Sequence, residues 1–80
     1  MITQEELRNG LELMNNGEEF IMTSKTFGKV ELTREGDEIV IYLGKMLVWC
    51  DSVELGHRDL IASKNHQVIA LIPFEDVEVA

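Results

Sequence analysis

The side chains best suited to chemistry lie close together in the chain. Residues 48–60, VWCDSVELGHRDL, hold the only Trp, the only Cys and one of the two His, with Asp51 and Asp59 beside them. Cys50 and His57 are the residue types of a thiolate nucleophile and its base, and either aspartate could orient the imidazole. Strand alternation argues against this, because Cys50 then points to the face opposite Trp49 and His57 lies across a turn. Nothing nearby marks an oxyanion hole, and a Cys in a strand is commonly a small hydrophobe. The expectation is a protein that is not an enzyme. Cys50, His57, Asp59 and His66 lack the paired spacing of a structural zinc site, so neither a metal nor a cofactor is expected.

A second group of residues suits binding rather than catalysis. His57 and Arg58 precede a polar run, SKNHQ, at 63–67. Lys64 can meet a phosphate, Asn65 and Gln67 can read base edges, and His66 can stack. The candidate contacts to single-stranded RNA or DNA are therefore His57, Arg58, Lys64, Asn65, His66 and Gln67. The same residues also spell a β-turn, for which Lys-Asn is good chemistry. Phe20, Phe27, Tyr42, Trp49 and Phe74 are scattered along the chain and suggest no stacking platform. Trp49 shares a face with Leu47, Val53 and Leu55, which predicts core or interface.

Charge limits the partners. Fifteen acids against seven bases leave −8, spread over both halves of the chain. Nucleic-acid binders usually present a basic face, so any such contact here must come from a local patch. The same charge suits an acidic interaction module or inhibitor that covers a basic protein surface. A single Cys excludes an internal disulfide and fits a reducing compartment. Met1 is followed by no apolar run, and no stretch is long enough to span a bilayer, so the cytoplasm is expected and a membrane partner is not.

The elements that must position these residues follow from periodicity. Thr3 and Glu6 form a capping box, with Ile2 and Leu7 as the hydrophobic staple of a helix over 4–15. Leu7, Leu11 and Met14 share its apolar face, Gly10 weakens it by about 1 kcal/mol relative to Ala, and Gly17 suits its C-terminal stop. From there the period falls to two, predicting strands over 19–24, 28–34, 38–43, 46–55, 59–63, 67–72 and 77–79. The fourth is long enough to bend, with a bulge at Asp51-Ser52. Connections of two to five residues make successive strands antiparallel neighbours. The prediction is one mainly-β domain, a strongly bent antiparallel meander with one N-terminal helix. Segments 39–43 and 68–72 are apolar on both faces, which over-supplies the core of an 80-residue monomer and points to self-association through strand pairing. Val68, Ala70, Ile72, Val77 and Val79 are the candidate interface residues.

The layout of residues 39–79 resembles Sm-like and SH3-like small β-barrels. IVIYL gives a first strand, 46–55 a long bent second, and DLIASKN and QVIALI the next two. IPFEDVEV gives the one-turn break before the last strand. The resemblance implies closure into a small barrel, a ring-forming or strand-paired homo-oligomer, and RNA contacts from two loops. The first loop corresponds to Gly56-His57-Arg58-Asp59. The second, Pro73-Phe74-Glu75-Asp76, is acidic and lacks the family's basic element. Segment 18–37 has no counterpart in a five-strand barrel of this kind.

Overall fold

A computed structural model describes all 80 residues. Helix α1 (Gln4–Asn15) starts at the expected box: Glu6 N–H donates to Thr3 Oγ1 at 3.1 Å and Thr3 N–H donates to Glu6 Oε1 at 3.0 Å. Those bonds hold the Glu6 carboxyl below its usual range. The helix ends at Asn15 with Asn16 as its C-cap, followed by Gly17 with φ of 91°. The Arg34 guanidinium donates from Nε and Nη2 to Asn15 Oδ1 and ties the helix end to the sheet.

Eight strands follow: β1 (Phe20–Ser24), β2 (Gly28–Glu35), β3 (Glu38–Leu43), β4 (Met46–Cys50), β5 (Ser52–Leu55), β6 (Asp59–Lys64), β7 (Gln67–Pro73) and β8 (Val77–Val79). A short 3-10 helix, η1 (Phe74–Asp76), joins β7 to β8. All pairings are antiparallel, in a five-stranded sheet ordered β4-β3-β2-β1-β8 and a three-stranded sheet ordered β5-β6-β7. Neither sheet closes on itself. The β1–β2 hairpin, from the segment with no counterpart in a five-strand barrel, sits between β8 and β3. No helix is long and apolar enough to cross a membrane.

The predicted long strand divides at Asp51, and the division changes which residues face inward. Val48 and Cys50 face the core from β4, whereas Val53 and Leu55 do so from β5. One residue out of the ladder reverses the alternation. The face that sequence alternation gave to Trp49, Leu47, Val53 and Leu55 is therefore split. The first two lie outside and the last two pack against the core.

A single cluster of sixteen buried residues joins the helix to both sheets, with Leu7 and Met14 from α1 meeting Met22, Leu32, Ile41, Leu60 and Ile72. Ile2 and Phe74 close it, and Ile2 N–H donates to the Phe74 carbonyl. Phe20 lies over Gly10 of the helix, against the site where any larger residue would place its Cβ.

At one end of the larger sheet a polar bracket fastens η1 to the β1–β2 turn. Ser24 is buried, and its hydroxyl donates to Asp76 Oδ2 while accepting from the backbone of Thr26 and Phe27. The Ser24 hydroxyl and the Thr26 and Lys25 amides together hold the Asp76 carboxyl below its usual range.

Candidate functional site

Cys50 is fully buried and its Sγ donates to the Ile39 carbonyl at 3.5 Å. Burial, reinforced by the neighbouring Asp51 carboxylate, pushes its thiol pKa up. A thiol that is buried and held neutral is a poor nucleophile. His57 lies beyond the whole of β5, in a hollow shared with Arg58 and the start of α1. We expect Cys50 to be unreactive toward Ellman's reagent in native buffer and to react in full in denaturant. Prompt native-state reaction would contradict the buried placement.

The six polar candidates separate into two places. His57 and Arg58 precede β6 and border a hollow of about 530 Å³ with Met1–Gln4, Phe74 and Glu75. Lys64 ends β6, Asn65 and His66 form the turn, and Gln67 opens β7. The length of β6 puts about 20 Å between the two places. Asn65 and His66 border a different hollow, of about 560 Å³, whose other walls are Asp51, Ser52, Glu54 and Ser63. Two carboxylates there oppose a phosphate. No group of three or more His, Cys, Asp or Glu is arranged to hold a metal ion.

The β6–β7 turn has a local explanation. Asn65 and His66 both have positive φ, 52° and 66°, as a tight hairpin turn with the sheet's twist requires. Asn65 N–H also donates to Asp51 Oδ2 at 2.8 Å, so the residue that breaks the long strand also anchors this turn. Asn tolerates the left-handed region and His does so at a cost. His66→Gly should therefore stabilise the protein by about 0.5–1 kcal/mol, read as a higher urea midpoint at unchanged slope. A loss of stability would show that the imidazole makes a contact worth more than the strain.

The interface candidates also divide. Val68 and Val79 are exposed, Ala70 is partly buried, and Ile72 and Val77 are sealed in the core at 1% exposure each. Ile72 stands opposite Leu60 and Val77 opposite Ser24, both inward pairings, so neither can serve a surface contact. The exposed apolar residues of β7 are Val68, Ile69 and Leu71. β7 is an edge strand of seven residues with no charge on it.

A further surface escaped the sequence reading. Tyr42 stands opposite Leu47, and Val40 opposite Trp49, on the outward face of the β3–β4 hairpin. Tyr42, Leu47 and Trp49 are each more than two-fifths exposed, yet Val40 among them is only 3% exposed. Val40 does not belong to the core cluster, so its cover comes from these outward neighbours. The two aromatics, seven positions apart in sequence, become diagonal neighbours once the Gly44-Lys45 turn sets the register. A two-residue turn at Gly44-Lys45 was the signal that could have revealed the pairing.

No family model, curated protein or solved structure matches this chain.

Proposed function

We propose that this protein is a non-enzymatic interaction module, an Sm-like or SH3-like small barrel that assembles with copies of itself through the free edge of β7. The observation that carries the reading is that edge: seven residues, uncharged, with Val68, Ile69 and Leu71 turned to solvent. An unprotected apolar edge of that length templates pairing with another strand, and soluble proteins blunt such edges unless they use them. The barrel reading is supported by the break at Asp51, where one long strand passes from the five-stranded to the three-stranded sheet. It is supported also by η1, which leads β7 directly into β8 at the far edge of the larger sheet. Pairing of β7 with β7 gives a two-fold dimer, and pairing with the free side of β8 gives a ring where the rotation closes.

Contact with single-stranded nucleic acid is the second part of this reading. His57 and Arg58 are too far from Lys64 to grip one short stretch of backbone, and the Asn65-His66 hollow is acidic. Light scattering of the eluting protein tests the assembly. A mass at a fixed multiple of 9.1 kDa is expected, and a monomer at every concentration overturns the proposal. Titration with labelled single-stranded RNA and DNA at low salt tests the second part, and tight binding would shift the reading toward nucleic acid.

A further inference from the structure

The outward face of the β3–β4 hairpin is a second surface, independent of the β7 edge. Its apolar floor is Val40, with Tyr42, Leu47 and Trp49 around it. An exposed Trp and Tyr side by side on rigid strands is unusual in a small domain, since such residues usually serve a core or an interface. No element of the chain covers this face. α1 contacts β1, β2 and β5, and its buried residues Leu7 and Met14 belong to the core on the opposite side.

The rim decides what fits. Strand register puts Glu31 directly opposite Tyr42, and Glu38 two positions before Val40, opposite Glu35. Lys29 is the one base on the same face of β2. Glu31 is partly desolvated and lies near the Glu19 carboxylate, and both effects raise its pKa. Carboxyls crowded in this way are relieved by an incoming cation. Phosphates would meet the same carboxylates, which disfavours nucleic acid here. A second copy docked face to face would bring two acidic rims together, and like charges brought together in an interface are costly.

We infer that this face binds a segment of another protein that carries Arg or Lys among apolar side chains. Apolar groups pack on Leu47 and the exposed ring edges above Val40, a guanidinium or ammonium lies over the Trp49 or Tyr42 ring, and the remaining cations meet Glu31 and Glu38. Cations over aromatic faces and beside partly desolvated carboxylates reinforce one another in such a site.

The test uses the full chain and a fluorescein-labelled peptide of alternating Arg and Leu, with the Glu–Leu peptide as control. At low salt the Arg peptide should raise the label's anisotropy and shift Trp49 emission to the blue, and the Glu peptide should do neither. Trp49→Thr should weaken Arg-peptide binding about tenfold. Because that change alters a large side chain, the milder pair Glu31→Gln with Glu38→Gln should give a similar loss. Glu5→Gln with Glu12→Gln removes the same charge from the exposed face of α1 and should leave binding almost unchanged. Equal losses from the two charge pairs, or unaltered binding by Trp49→Thr, would overturn the inference. So would a blue shift of Trp49 on concentrating the protein alone, which would assign the face to a second copy. A shift in the β7-dependent mass leaves this test untouched, so the two proposals fail separately.

Discussion

Replacing Gly10 with alanine should destabilise the protein by about 2 kcal/mol, although alanine is the better helix former. Gly10 lies in the middle of α1, where alanine should gain about 1 kcal/mol from propensity. A Cβ there would sit 2.3 Å from the Phe20 ring, far inside van der Waals contact. Phe20 is buried in β1 and is part of the same core cluster, so the ring cannot shift without giving up packing there. Forcing helix and strand apart costs about 3 kcal/mol in a well-packed core, which exceeds the propensity gain. Urea unfolding checks this, and Gly10→Ala combined with Phe20→Leu should recover part of the loss, because the two positions are in contact. A Gly10→Ala protein as stable as the parent would mean that the helix does not lie this close to β1.

Lysine at Ile69 and Leu71 together should weaken self-association about a hundredfold while leaving the fold intact. Both side chains are substantially exposed, at 44% and 53%. The inward residue of this strand end, Ile72, is not touched. Lysine on an edge strand opposes pairing with another strand, since two ammonium groups would have to be brought beside an incoming chain. By contrast, Ile72→Lys buries a charge among Leu60 and its neighbours and should unfold the domain. Ile72 lies one position from Leu71 and three from Ile69 along β7, so the contrast depends on the alternation being as described. Sedimentation reads the first outcome and circular dichroism the second. An Ile69→Lys, Leu71→Lys protein with unchanged mass would remove β7 from the assembly.

The elements with local signatures were legible in the sequence. The capping box at Thr3 and Glu6 and the stop at Gly17 bound α1 because helix ends are set by neighbours in the chain. The turns at Gly36, Gly44 and Asn65 are local for the same reason, and with them came the antiparallel order of the strands. What failed depends on partners far along the chain. Alternation says that Trp49 and Cys50 face opposite ways, but not which face the core occupies. One residue at Asp51 then reverses the parity for Val53 and Leu55. Ile72 looked available because its strand is apolar on both sides, whereas pairing with Leu60 turns it inward, as pairing with Ser24 does for Val77. Gly10 looked like a weak point in the helix, and its reason is the Phe20 ring ten residues on. The Tyr42–Trp49 pair is visible only when the hairpin register is known.

The constellation of Cys50, His57 and two aspartates that stands out in the sequence dissolves for the same reason. Rare residues crowd into one stretch of chain, but the fold sends the thiol into the core and the imidazole to the far end of β5. The surfaces it leaves open are apolar, at the edge of β7 and on the outward face of β3 and β4. Both suit partners made of protein.

The most direct test of that central claim is the solution mass of the full chain, measured by light scattering from low to high micromolar concentration, beside the Ile69→Lys, Leu71→Lys protein. Assembly through β7 predicts a defined multiple of 9.1 kDa for the native chain and 9.1 kDa for the substituted one. A native chain that stays at the monomer mass throughout, or two proteins with the same assembled mass, would contradict it.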